Sequence, residues 1–245
     1  MRHHKKRLFA NRLQKYNFFR NQPKIFRNFV RKTAFFMITT LIFDFGGVLI
    51  NLDRQRCIDA FEQLGLHDIG RLIDNYAQAG IFAQLENGDI TTDEFHDGVR
   101  QIVGKPIDDH DIDAALNAFL LDIPTEKLDM LCALHQRFRI LLLSNTNAIH
   151  FPHSVRTQIT DKGYQIEQLI DKCYLSYEIH LSKPQPEIFR FLLDTEQLDP
   201  AECLFFDDSA RNIETAKALG INAMLVPLHA NANFFRKNIA KELHR

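Results

Sequence analysis

The pattern of apolar and polar positions divides the chain into two regimes. Five short apolar runs stand out: 39–43 (TTLIF), 139–143 (RILLL), 172–176 (KCYLS), 203–206 (CLFF) and 222–226 (NAMLV). Runs this uniformly apolar bury both faces, as the strands of a parallel sheet do. Helical patterns separate the later ones. Residues 184–197 carry prolines just inside their start and place Ile188, Phe191 and Leu192 on one face. Residues 209–219 run from Ser209, a natural N-cap, to Gly220, a natural terminator. Strand–helix alternation of this kind predicts an α/β fold, a Rossmann-like doubly wound parallel sheet.

Residues 54–122 read differently. They hold no convincing strand, and apolar residues recur every three or four positions. Gly88, Gly104 and Pro124 punctuate the stretch, and Thr91-Thr92-Asp93-Glu94 reads as a helix start. The expected organisation is therefore a core of residues 37–53 and 123–230, a helical insert over 54–122, a C-terminal tail over 231–245, and a distinct segment over 1–36. No repeat or low-complexity tract appears.

Composition changes this picture in two places. The cysteines at 57, 132, 173 and 203 are widely spaced, without a CxxC pair. They read as reduced thiols in or near the core, which predicts a cytoplasmic protein. No apolar run approaches the roughly 20 residues of a membrane helix, so no membrane span is expected. The net charge of −1 conceals an asymmetry: residues 1–36 hold 11 Lys and Arg and no acid. That basic, Phe-rich segment suits an amphipathic arm for a membrane surface or nucleic acid, or a transit-type leader lacking serine. The favoured expectation is that Met37, just before the first strand, is the true start and that 1–36 is a mis-assigned or disordered leader. No nucleic-acid partner is expected, and the protein should be a monomer or weak homodimer.

Ligands of open α/β sheets bind outside the carboxyl ends of the strands. The first run ends in Asp44, followed by Gly46 and Gly47. The second ends in Ser144-Asn145-Thr146. Lys183 follows the third, and Asp207-Asp208-Ser209 ends the fourth, with Asn212 one turn on. Each alone suits a turn or cap. Together they make a cation site rich in carboxylate oxygen, suited to Mg²⁺, beside a lysine and a hydroxyl suited to a phosphoryl group. A carboxylate in such a place can also form an aspartyl-phosphate.

In order, the phrases FDFGG, LLLSNTN, SKPQPEIF and FFDDSARNIETAKALG resemble the four motifs of the haloacid dehalogenase-like (HAD) superfamily, over about residues 37–230. The insert resembles that family's C1-type cap. Within the family the chain looks most like bacterial sugar-phosphate phosphatases, in particular those acting on α-D-glucose 1-phosphate. The resemblance implies a Mg²⁺-dependent phosphatase of a small phosphorylated substrate. Asp44 would be the nucleophile. Asp44, the Gly46 carbonyl and Asp208 would hold the metal, supported by Asp207 and Asn212. Ser144, Asn145 and Lys183 would hold the phosphoryl group. One departure stands out: where most family phosphatases carry an acid two residues after the nucleophile, this chain has Gly46. Asp53 or a metal-ordered water would then have to supply the proton, and esters with acidic leaving groups, such as sugar 1-phosphates, should be favoured. A metal-independent dehalogenase-type hydrolase and an inactive binding protein of the same fold are the alternatives. Placement of the insert residues Phe82, Glu86 and Asn87 does not follow from the sequence.

Overall fold

A computed structural model describes residues 37–67, 69–73 and 78–243; the expectations for residues 1–36 lie outside them. Five strands form one sheet: β1 (Thr40–Phe43), β2 (Arg139–Ser144), β3 (Lys172–Leu175), β4 (Cys203–Asp207) and β5 (Asn222–Leu225). The order is β3-β2-β1-β4-β5 and every pairing is parallel. The expected strands are thus all present, with bounds differing by a residue. The doubly wound order places β1 at the centre, with Phe43 in register with Leu142 and Phe206.

Alternate side chains of these strands feed two cores, as a doubly covered sheet requires. Leu41, Phe43, Leu204 and Phe206 pack on one face, and Ile42, Cys203 and Phe205 on the other. The ten helices of the described residues are α1 (Arg54–Gln63), α2 (Gly80–Asn87), α3 (Thr92–Val103), α4 (Asp109–Asn117), α5 (Thr125–His135), α6 (His150–Ser154), α7 (Ser176–Ile179), α8 (Pro186–Glu196), α9 (Ala210–Ala218) and α10 (Ala232–Leu243). None is long and apolar enough to cross a membrane. All four cysteines are free, with Cys57 and Cys203 buried.

Three local readings need correction. In α8 the buried face is Ile188, Phe189, Leu192 and Leu193, while Phe191 is exposed. Ser209 sits at the N-cap of α9, but its hydroxyl makes no capping bond; Asp207 Oδ1 instead accepts from the Ser209 N–H. The tail contains α10, whose Phe235 ring lies 5.7 Å from Phe43 and 5.3 Å from Phe206. Ala232, Phe235 and Ile239, all buried, make this helix part of the core.

Helix α5, between the insert and β2, buries a lysine beside Leu128, Met130 and Leu131. Lys127 is 1% exposed, and its Nζ donates to Val48 O at 2.7 Å and Leu49 O at 3.3 Å. Burial pushes its pKa down to about 8. The ammonium clamps the loop that follows Asp44. Lys127→Ala is expected to orphan both carbonyls and lower stability by about 1–3 kcal/mol. A thermal or denaturant melt checks this; a variant as stable as wild type would show that the clamp is dispensable.

Between Arg54 and Asn117 the described residues form α1–α4 and a 3₁₀ turn at Ile69–Arg71, around an apolar core of their own. Phe61, Phe82 and Phe95 meet edge to face there, with centroids 5.4 and 5.2 Å apart. The Thr91 helix start is a full capping box with Glu94. Two connections join this unit to the sheet, running side by side: Asn51 N–H donates to Asp122 O, and Leu121 N–H to Asn51 O.

Candidate active site

Asp44 stands one residue past β1, its N–H still bonded to Phe206 O as though the ladder continued. Its Oδ1 accepts from the Phe45 N–H at 2.7 Å and lies 2.8 Å from Lys183 Nζ. Among the described residues no hydrogen bond engages Oδ2. The residue is buried, and burial raises its carboxyl well above the usual range; Lys183 opposes this and Asp207 and Asp208 reinforce it.

Lys183 is the hinge of the charge arrangement. Its Nζ also donates to Asp207 Oδ2 at 2.7 Å. Burial works against its charge, but Asp207 and Asp44 outweigh that and hold its pKa above the ordinary value. Asp207 is fully buried, and its Oδ1 accepts from Ser209 N–H and Asn212 Nδ2. Asn145 does something its sequence position does not reveal: Oδ1 accepts from Lys183 N–H and Nδ2 donates to Lys183 O, both at 2.9 Å. That two-point grip fixes the backbone from which the lysine extends. Ser144 is buried beside it.

Asp44, Asp207 and Asp208 each bring an oxygen within 4.8 Å of the others. Three carboxylates against one ammonium leave two negative charges, which a divalent cation would balance. Oxygen donors at this density suit Mg²⁺. The Asp208 carboxyl is pushed up to about 6, by burial first and then by Asp207. The second glycine, Gly47, matters for space: its φ is +69°, and a Cβ there would lie 2.2 Å from Asp208 Oδ2. Gly46 has no such constraint; a Cβ would meet only Leu52 Cδ1, at 3.1 Å. The close approach that glycine permits is therefore at 47.

These groups open into a cavity roofed by the helical insert, whose wall includes Phe82, Leu85 and Glu86 of α2 together with Asp44, Ser144 and Lys183. Asp53 is not on that wall. Its Oδ1 accepts from the Gln55 and Arg56 N–H groups as the N-cap of α1, so the structure gives it a capping role. Two further titratable residues of the wall are placed only by the structure: His150, which the sequence reading missed, and Glu86, which it named without a place. His150 is held by Leu116 O and Asn147 Nδ2, and burial drops its pKa to about 4. Glu86 is pushed up to about 7 by burial, against the pull of Lys183. One signal for Glu86 was available: an acid in the last turn of a helix faces the negative end of its dipole.

Fold and site together define an α/β protein with a carboxylate–lysine centre at the carboxyl edge of its sheet, covered by a helical insert. Residues 38–220 match the haloacid dehalogenase-like hydrolase family. The chain belongs to that family. It is 36% identical over 184 residues, 75% of this chain and 89% of the relative, to a D-ribitol-5-phosphate phosphatase of Bacteroides thetaiotaomicron. A HAD family enzyme from the same organism, solved with magnesium and inorganic phosphate, superposes with a TM-score of 0.76 at 42% identity, covering 81% of this chain and 98% of that one. A HAD-like hydrolase from Porphyromonas gingivalis gives 0.77 at 31% identity, covering 84% and 98%.

Proposed function

We propose that the protein is a Mg²⁺-dependent phosphatase of a small phosphorylated sugar or polyol, working through an aspartyl-phosphate. The observation that carries this is the cluster of Asp44, Asp207 and Asp208, with Lys183 paired to Asp44 and Asp207, opening through Asp44 and Asp208 into a cavity. The similarity to a sugar-alcohol phosphatase, and to an enzyme that binds magnesium with phosphate, supports it. A cavity of about 100 Å³ suits a metabolite rather than a phosphoprotein.

In this reading Asp44 Oδ2 attacks phosphorus and is released again by water. Asp44, the Gly46 carbonyl and Asp208 would hold Mg²⁺, which supplies charge neutralisation for the transferring phosphoryl group. Ser144 and Asn145 hold phosphoryl oxygens, Asn145 while also fixing Lys183. Lys183 favours the ionised, attacking form of Asp44 and offsets charge on the equatorial oxygens. Asp207 and Asn212 hold Lys183 and the start of α9 in place. Residues 54–122 act as the cap that excludes water and shapes the leaving-group pocket.

Hydrolysis of p-nitrophenyl phosphate is expected with Mg²⁺ and not after its removal by chelation. Metal-independent turnover would favour dehalogenase-type chemistry, and no turnover would favour a binding protein. For the substrate, glucose 1-phosphate follows from the missing acid at Gly46, since an anomeric oxygen leaves readily. Ribitol 5-phosphate follows from the phosphatase relative. Comparing kcat/KM for these two and for glucose 6-phosphate separates them: an anomeric preference appears as 1-phosphate over 6-phosphate of the same sugar.

A further inference from the structure

The structure places a second kind of carboxyl in the cavity, on the insert rather than on the sheet. Glu86 lies in the last turn of α2 and shares the wall with Asp44, Gly46 and Lys183. No hydrogen bond or ion pair among the described residues engages its side chain. Its backbone, by contrast, is pinned to the core. Glu86 O accepts from Ser176 Oγ at 2.6 Å, Asn87 Oδ1 accepts from Ser182 Oγ at 2.7 Å, and Asn87 O lies 3.2 Å from His180 Nδ1. Gly88 closes the helix at φ +74°, where a Cβ would lie 2.2 Å from Tyr177 O. A carboxyl without a protein partner among the described residues therefore rides on a tightly docked turn that lines the same cavity as the reacting groups.

We propose that Glu86 is the proton donor of this enzyme, delivered from the insert in place of the side chain that Gly46 lacks. The inference rests on the phosphatase reading above. In the first half-reaction the Asp44 Oδ–P bond forms and the ester P–O bond breaks. The leaving oxygen takes the bond's electron pair and the Glu86 proton. In the second, water bonds to phosphorus and gives its proton to Glu86, the P–Oδ bond breaks, and Asp44 and phosphate are released. Glu86 ends protonated, as it began.

The other titratable groups of the wall do not fit this role. Asp44 is the attacking group, Asp208 belongs to the carboxylate cluster, and Lys183 is committed to Asp44 and Asp207. Both ring nitrogens of His150 have protein partners, and burial keeps the ring neutral. The Cys57 thiol is pushed up to about 12 by burial. Glu86 has no such commitment, and burial pushes its carboxyl up to about 7, in the range where a general acid works best at neutral pH. With such a donor an ordinary alcohol can leave, so a primary ester such as ribitol 5-phosphate is within reach despite Gly46.

The isosteric variant Glu86→Gln tests this. Its kcat/KM for an alkyl ester, ribitol 5-phosphate or glucose 6-phosphate, is expected to fall about 10²–10⁴-fold. The fall for p-nitrophenyl phosphate, whose leaving group needs little protonation, should be at least about tenfold smaller. The wild-type alkyl-ester profile should decline above about pH 7, and the variant should lose that limb. Equal losses on both esters, or a change in KM alone with the alkaline limb intact, would overturn the proposal while leaving a working phosphatase. A wild-type protein that hydrolyses neither ester with Mg²⁺ would instead remove the phosphatase reading and, with it, this one.

Discussion

Asp44→Asn is expected to abolish turnover, by about 10⁴-fold or more, because an amide cannot form the acyl-phosphate. The metal-free variant should nevertheless be at least as stable as wild type at neutral pH. Burial raises the Asp44 carboxyl well above its ordinary range, and Asp207 and Asp208 add to this beyond what Lys183 returns. A raised folded-state pKa means that the fold favours the neutral form. The stabilisation it gives is present below the unfolded value and lost as pH rises through the folded one. At neutral pH burying this acid is thus a burden that the amide relieves, whereas at acid pH the two proteins should converge. Steady-state rates, with Tm at neutral and acid pH, check both halves. Substantial turnover would remove Asp44 as nucleophile. A variant much less stable at neutral pH would mean that the pair with Lys183 outweighs desolvation. Activity purchased with strain at the site is a common trade in enzymes.

Lys183→Ala should damage both fold and activity. The ammonium is buried between Asp44 at 2.8 Å and Asp207 at 2.7 Å, and Asp207 has no exposure to water. Removing one partner of a buried pair leaves uncompensated charge, at about 3–5 kcal/mol. Loss of an electrostatic stabiliser of the transferring group is expected to lower kcat about 10²–10³-fold, even at saturating metal. Mg²⁺ should raise the Tm of the variant more than that of wild type, since the cation then faces three carboxylates with no ammonium among them. Melting curves with and without Mg²⁺ decide the matter. An unchanged Tm would show that the cluster is already protonated or screened, and equal Mg²⁺ shifts would place the metal away from it.

Much of this was legible in the sequence because it depends on local chemistry. The central strands β1, β2 and β4 are buried on both faces and so apolar almost along their length, and the edge strands β3 and β5, though less buried, keep short apolar runs of the same kind. Their carboxyl ends are where the polar residues had to appear, and Asp44, Ser144, Lys183 and Asp207-Asp208 did so in order. The Thr91 capping box was visible because its two partners are three residues apart.

Other features needed the folded chain, because their partners are far apart in sequence. Lys127 reads as a solvated charge until Val48 O and Leu49 O, nearly eighty residues away, are found at its Nζ. Asn145 shows a second task, gripping the backbone of Lys183, only once its amide is seen against Lys183 N–H and O. Asp53, nine residues past Asp44, suggests a proton donor until it caps its own helix. Glu86 stands 42 positions from Asp44 and gains its meaning only when the end of α2 docks on Ser176 and Ser182. Periodicity and spacing therefore determined the sheet, the insert and the chemistry of the strand ends, since local sterics and burial govern these. The tertiary structure alone decided which groups share a cavity, because the burial and charge that set their reactivity come from residues brought together only by folding.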